Sequence, residues 1–338
     1  MEGQPEPVAE VAGPTLLVVI VNYRIADLVI DCLRSIEAEI DGYPGRRVVV
    51  TDNASGDGSV DRIAGAIADE GWGGWVELMP LATNGGFSSG NNAAIRPALA
   101  GDDPPRYVLL LNPDTVARPG AIAALLDFLA ARPEVGLAGS RLEDPDGTPQ
   151  YSAFPFPSIL GELDVTLRLG FVTKLLRARV GEPSAPEEAR RVDWVAGASL
   201  MVRREVFDAI GTLDDGYFMY YEEVDFCLRA ARAGWPCWYV PASRVVHLVG
   251  RASGVTDRGA TRKRRPRYWF EARRRYFRSN LGAARALLAD VGWAAGFATF
   301  RARQAIQRKA DDDPDRYLRD FIRYNFLPEG WRADGPGR

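Results

Sequence analysis

LLVVIVNY, residues 16–23, is a run of six apolar residues, four of them β-branched, that ends in Asn22 and Tyr23. So short and so apolar a run reads as a strand buried on both faces, as in a parallel sheet; an amphipathic helix would need roughly ten residues and a polar face. Four similar runs follow: RRVVVTDN (46–53), WVELM (75–79), RYVLLLN (106–112) and VGLAGS (135–140). Amphipathic segments lie between them, at 26–40 with Leu28, Cys32, Leu33 and Ile36 on one stripe, at 58–69, from within SSGNNAAI (88–95), and at 119–131. Strand–helix alternation at this spacing predicts βαβ units and an α/β fold: a mostly parallel central sheet with helices on both faces.

In such sheets ligands bind at the carboxyl ends of the strands. Those ends read Asn22-Tyr23, Asp52-Asn53 and Asn112-Pro-Asp114, three polar sets that can converge on one crevice. Further along, 141–191 is less regular, with a helical stretch near 158–179. VDWVAGASLMVRREVF (192–207) is regular again, a helix is expected from about 221 to 234, and short strands at WYVP (238–241) and RVVHLV (244–249). The expected organisation is a disordered tail over 1–14, a catalytic domain over 15–253, and a helical region over 254–338.

The 338 residues carry a net charge of −3, are 46% hydrophobic, and include 34 glycines, 23 prolines and three cysteines. This composition excludes fibrous, disordered and disulfide-framed classes. The acidic, proline-rich start lacks the basic and apolar segments of a signal peptide, and the apolar runs at 16–21 and 291–300 are too short to span a bilayer. The expectation is a cytoplasmic protein without a membrane-spanning anchor.

Four motifs carry chemistry. Asn112-Pro-Asp114 follows a strand directly, and Pro113 ends it. Asp114 at that edge can ligate magnesium or manganese, hard cations that also bridge substrate phosphates; the same tripeptide also reads as a turn. Asp52-Asn53-Ala-Ser55-Gly-Asp57 is either a strand-to-helix turn with its cap or a carboxylate that accepts hydrogen bonds from a base or ribose. Asn84-Gly-Gly-Phe-Ser88-Ser-Gly90-Asn91-Asn92 enters a helix whose amino end suits a diphosphate. It also matches the GxSxG elbow, so an α/β-hydrolase using Ser88 and His247 is a competing class, although no HGGG-type oxyanion segment accompanies it. Tyr220-Tyr221-Glu222-Glu223-Val224-Asp225 puts three acids in a first helical turn. The helix dipole favours acids there, and three beside two tyrosines exceed capping needs, so a general base belongs among them. His247, the single histidine, stands at a strand end before a glycine loop. GxGxxG after the first strand and Gly-Lys pairs are both missing, which removes dehydrogenase and P-loop readings.

Taken in order, VVIVNY (18–23), VTDNASGDGS (50–59), NGGFSSGNNAAI (84–95), LLLNPDT (109–115), WVAGASLMVRREVF (194–207), GYFMYYEEVDFCLRA (216–230) and HLVGRASG (247–254) resemble glycosyltransferase family 2, and within it the rhamnosyltransferase-like branch. The resemblance implies the GT-A fold and inverting transfer from a nucleotide diphosphate-sugar to an acceptor hydroxyl, with a Mg2+ or Mn2+ cofactor. It places Asn22, Asp52, Asn53, Asn84, Asn91 and Asp114 around the nucleotide-sugar, and Asp114 with His247 on the metal. Asp114 matches the last acid of the family's DxD-type motif, whose first acid is here Asn112. Glu222-Glu223 matches a Glu-Asp pair whose second acid is the base, so Glu223 is the implied base, with Glu222 and Asp225 as alternatives. Trp194, Tyr221 and Arg251 fall where acceptor or diphosphate would lie. The branch points to dTDP-rhamnose as donor, with UDP-sugars open, and to a saccharide or lipid-linked acceptor. A nucleotide-sugar-binding protein without turnover is the reading from a different class.

Residues 251–280 hold eleven Arg or Lys against two acids, with Tyr268, Trp269, Phe270, Tyr276 and Phe277 among them. This segment reads as a partly packed helix or as a peripheral contact with anionic lipid or a lipid-linked diphosphate at the inner face of the plasma membrane. The acidic overall balance argues against nucleic acid. Oligomerisation stays open.

Overall fold

The computed structural model describes residues 16–40, 45–248, 264–309 and 313–327. The expected tail over 1–14 and the stretch 249–263 lie outside the described residues. In chain order the elements are β1 (Leu16–Asn22), α1 (Ala26–Ile40), β2 (Arg47–Asp52), α2 (Ser59–Asp69), β3 (Val76–Pro80), α3 (Gly86–Ala100), β4 (Tyr107–Leu111), β5 (Thr115–Ala117), α4 (Ala121–Ala130) and β6 (Leu137–Glu143). There follow β7 (Ala153–Phe154), α5 (Ile159–Leu167), α6 (Gly170–Val180), β8 (Arg190–Val192), β9 (Trp194–Val195), β10 (Ser199–Arg203), α7 (Arg204–Ile210), α8 (Glu222–Arg232) and β11 (Cys237–His247). The last three are α9 (Arg267–Leu281), α10 (Ala283–Ile306) and α11 (Tyr317–Phe326).

The apolar run at 16–21 is buried because β1 is central. Leu16, Val18 and Ile20 enter one core with α1, α2 and α4, while Leu17 and Val19 enter a second core with α3 and α8. Burying each such side chain stabilises by about 1.5–3 kcal/mol, so a strand with two apolar faces has no stable alternative at the surface. The sheet order is β3-β2-β1-β4-β10-β6-β11-β5, with β8 also on β11, while β7 and β9 form a separate pair. The pairings among β3, β2, β1 and β4 are parallel. β10 is antiparallel to both of its neighbours and sits between β4 and β6. β6 and β11 are parallel to each other, and β5 and β8 run antiparallel on β11. The two short strands expected at 238–241 and 244–249 are one strand, β11, with a register shift between Val240 and Arg244. That shift is a local bulge, which explains why the sequence reads as two pieces.

The ends of the strands fall in step. Asn22 pairs with Asp52, Asp52 with Pro80, and Ser199 with Leu111. The polar residues after β1, β2 and β4 therefore share one rim. Cys32, Cys227 and Cys237 are free and buried.

The late helices close over this rim from one side. α10 packs along α5, and Gly296 permits it: a Cβ there would stand 2.3 Å from Thr166 Oγ1. Between these helices lies Arg273 of α9, fully buried, donating to Glu162 of α5 at 2.8 Å and to Asp290 of α10. Burial pushes the Glu162 and Asp290 carboxyls above their usual range, against the opposing pull of Arg273. Most of the described cations of the basic segment are likewise engaged internally: Arg264 with Asp320, Arg267 with Glu271, Arg275 with Asp214, and Arg274 with the Tyr324 carbonyl. Among the described residues, no helix is long and apolar enough to cross a membrane.

Arg273→Met leaves two buried carboxylates without their cation and is expected to destabilise the fold by about 3–5 kcal/mol in urea denaturation. Apolar replacement of Arg273, Glu162 and Asp290 together is expected to recover most of that loss.

Candidate active site

Asp52 organises the first half of the rim. Its carboxylate accepts from Asn22 Nδ2 at 2.7 Å, from Ser55 Oγ at 2.5 Å and from the Ser55 amide at 2.9 Å. An ionised carboxylate has roughly four acceptor positions, so one remains for a ligand. Ser55 Oγ in turn accepts the Arg24 amide at 2.9 Å, which ties the loop after β1 to the loop after β2. Asn53 donates to the Gly86 carbonyl at 3.0 Å and keeps its buried Oδ1 without a partner. Asn84 caps the next turn by accepting the Gly86 amide at 3.0 Å. Asn91 lies within α3, donates to the Phe87 carbonyl, and has a buried, unpartnered Oδ1.

The glycines of this loop serve the chain itself. Gly86 has φ +83°, and a Cβ there would stand 1.9 Å from the Phe218 carbonyl oxygen. The next residue, Phe87, donates its amide to that same carbonyl at 2.7 Å. Residues 84–87 are thereby clamped to the segment that leads into the acidic cluster. Asn92 reinforces the clamp by donating to the Leu213 carbonyl and to Asp215.

That leading segment is bent. Tyr220 and Tyr221 both have positive φ, 73° and 67°. Two successive non-glycine residues in the left-handed region cost of order 1–3 kcal/mol each and persist only where surrounding contacts impose them. Tyr220 stacks on Tyr268 of α9 and Tyr221 packs against Tyr276. α8 then opens with Glu222, buried, and Glu223, half-buried, and each has an Oε2 without a hydrogen-bond partner. Burial first, then the neighbouring Glu223 charge, push the Glu222 carboxyl well above its ordinary range. Glu223 is also raised by burial, against donation from its own amide and those of Gly197 and Val224. Asp225 differs: its carboxylate takes Arg229 at 2.8 Å, Asn280 at 2.8 Å and the Tyr217 hydroxyl at 3.3 Å. It is a junction between α8 and α9.

On the far side of the sheet rim, Asp114 is 2% exposed and its Oδ1 has no hydrogen-bond partner. His247 Nε2 lies 3.6 Å from that oxygen, because β11 pairs with β5 so that His247 stands opposite Thr115. Glu143 pins these strands: it accepts from Arg118, just after β5, at 3.0 Å and from Arg244 of β11 at 2.9 Å. One short segment joins the two sides. The Asn112 amide donates to the Ala198 carbonyl at 2.9 Å, and the preceding Gly197 lies against Glu223, where a Cβ would be 3.5 Å from that of the glutamate. Trp194, five residues upstream of β10, stacks on Phe154 at 4.4 Å and donates its indole N–H to the Pro155 carbonyl. Arg251 lies outside the described residues.

The hydrolase pairing is not formed. Ser88 is inside α3 with no exposure, and its Oγ has no hydrogen-bond partner, whereas His247 faces Asp114.

The family described as Glycosyltransferase like family 2 matches residues 14–282. The chain belongs to this family. An N-acetylglucosaminyl-diphospho-decaprenol L-rhamnosyltransferase from Mycobacterium tuberculosis H37Rv is 34% identical to this glycosyltransferase over 219 residues, which cover 61% of this chain and 68% of that one. Rhamnosyltransferase WbbL from Escherichia coli K12 is 31% identical over 176 residues, 48% of this chain and 61% of that one. The mannosyltransferase PcManGT from Pyrobaculum calidifontis, solved with GDP-Man and Mn2+, superposes with a TM-score of 0.55 at 17% identity, covering 91% of this chain and 79% of that one. The likeness to PcManGT shows a shared GT-A fold, and the family together with the rhamnosyltransferase relatives shows an enzyme of sugar transfer in glycan or glycolipid assembly.

Several site residues carry no motif signal that stands out on its own. Ser55, Gly197 and Phe218 lie inside motifs quoted from the sequence and Asn280 in none, and the contacts through which all four act join segments distant in sequence.

Gly86→Ala is expected to destabilise the glycosyltransferase by about 3 kcal/mol or more, from the left-handed backbone and the overlap with Phe218. The melting temperature measures it, and Gly56→Ala, where φ is also positive but the space is open, is the milder control.

Proposed function

We propose that the enzyme transfers rhamnose or a related sugar from a nucleoside diphosphate donor to a hydroxyl of a diphosphate-linked saccharide, with inversion, using Glu223 as general base. The observation that carries this reading is the short 196–198 segment, with the Asp114–His247 pair bonded to one side through Asn112 and the Glu222–Glu223 pair on the other. The rhamnosyltransferase relatives support the donor and acceptor classes.

Glu223 is suited to the base role because its Oε2 has no internal partner while three backbone amides orient the group. It takes the acceptor proton as the oxygen attacks the anomeric carbon opposite the diphosphate. Glu222 beside it disfavours double ionisation, so the two titrate as a unit. Asp225 is spoken for by Arg229 and Asn280 and orients α8. Asn22, Asp52, Asn53 and Asn84 hold the nucleotide end, and Asn91 supports the loop from α3.

The residues fit a divalent cation. A buried carboxylate oxygen without a hydrogen-bond partner, 3.6 Å from an imidazole nitrogen, is a two-group donor set that leaves the remaining positions to diphosphate oxygens and water. Asp114 and His247 would hold Mg2+ or Mn2+, which when bound supplies Lewis-acid neutralisation of the leaving diphosphate.

Glu223→Gln is expected to lower transfer by roughly 10²–10⁴-fold with donor binding retained. Asp114→Ala is expected to abolish the manganese-dependent part of donor-induced thermal stabilisation, read by melting temperature. Wild-type protein that binds donors yet turns over none of a nucleotide-sugar panel would replace the proposal with a binding function. The pH profile has a definite sign: the base works deprotonated and its pKa is raised, so kcat/KM is expected to climb with pH along a limb above the ordinary carboxylate range of about 4.3.

A further inference from the structure

α10 is apolar on both sides. Its inward face carries Trp293 and Phe297, buried against α11 and α9. Its outward face carries Leu287, Leu288, Val291, Ala295, Ala298, Ala302 and Ile306, all exposed, with each position three or four residues from another along one side of the helix. Leu288 is 59% exposed and Ile306 83%. Single exposed aliphatics are ordinary, whereas an exposed aliphatic stripe, free of charge from Leu287 to Ala298 apart from the inward-turned Asp290, marks a contact surface. Among the described residues nothing covers it. Exposed apolar side chains also occur on α5, packed along α10, at Val165, and on α6, packed on α5, at Phe171 and Leu175.

The charges choose the occupant. Exposed cations stand at both ends of the stripe, Arg285 at the start and Arg308 and Lys309 just past the finish, whereas Arg303 donates to the Leu167 and Arg168 carbonyls and Arg301 lies 4.0 Å from Asp313. The one acid in α10, Asp290, is turned inward onto Arg273. A second copy laid against this face would set cationic ends on cationic ends in either orientation, parallel or antiparallel. An anionic bilayer surface satisfies both features: acyl chains take the aliphatic stripe, and phosphate headgroups take the flanking arginines and lysine. We propose that the outward face of α10 lies in the headgroup region of an anionic membrane as an in-plane helix. This differs from a contact through α9, whose described arginines are mostly turned to internal partners. It also does not rest on the identity of the sugar or of the base. It places the membrane one helix layer from the acidic cluster, since Asp290 reaches Arg273 and α9 carries the tyrosine that packs on Tyr221.

Co-sedimentation of the full chain with phosphatidylcholine vesicles, with and without phosphatidylglycerol, tests the proposal. Wild-type protein is expected to partition onto the anionic vesicles at least about tenfold more than onto the neutral ones. Leu288→Glu combined with Val291→Glu is expected to lower that partitioning at least about tenfold at unchanged melting temperature, because both side chains face outward. Arg285→Glu combined with Lys309→Glu, away from the packed face, is expected to remove the preference for anionic lipid and serves if the first pair does not fold. Wild-type protein that stays in solution, glutamate variants that bind as wild type does, or a dimer in light scattering that the glutamates dissolve would each overturn the proposal.

Discussion

Gly86 and the Phe218 carbonyl meet at a distance that no side chain survives, and the Phe87 amide closes on the same oxygen. The loops after β1 and β2 reach this point through hydrogen bonds: Asn22 to Asp52, Ser55 to Asp52, Asn53 to the Gly86 carbonyl. Everything on the acidic side leaves from it, through the two left-handed tyrosines into the first turn of α8. The separation between the 84–87 loop and the glutamates is thus set by backbone-to-backbone contact, which is stiffer than any pair of side chains. Sub-ångström placement of reacting groups is worth orders of magnitude in rate, and a constraint of this type supplies it.

The same acidic turn is held from behind by the late helices. Arg273 bridges Glu162 and Asp290 in a dry interior, Asn280 reaches forward to Asp225, and Tyr268 and Tyr276 receive the rings of Tyr220 and Tyr221. An ion triad around a fully buried arginine is weak as a source of stability but strict in geometry, because any displacement leaves charge uncompensated. The helices after residue 267 therefore brace the first turn of α8.

The parallel half of the sheet was legible in the sequence, because β1, β2 and β4 are buried on both faces and so read as unbroken apolar runs. The polar strand ends were legible for the same reason: a strand that stops in Asn22, Asp52 or Asn112 stops abruptly. The insertion of β10 between β4 and β6 was not legible, since it is a pairing across about ninety residues and leaves no local periodicity. The glycines of 84–90 were read as room for a ligand; Gly86 makes room for the chain, and Gly90 for Val21. Composition cannot separate these causes, because the requirement on Cβ is the same. The resemblance put Glu223 first in the acidic cluster and kept Glu222 and Asp225 as alternatives; only the positions of Arg229 and Asn280 set Asp225 apart.

The Arg273 triad also has a consequence for the order in which the molecule matures. Glu162, Arg273 and Asp290 emerge from the ribosome far apart in time, and the sheet, built from neighbouring βαβ segments, can form long before the last of them appears. During that interval the acidic turn lacks its backing, and its tyrosines have no rings to hold them in their unfavourable backbone state. The acidic turn gains its backing only when the final helices arrive, so nascent chains carry the β1–β2 rim first and the braced first turn of α8 last.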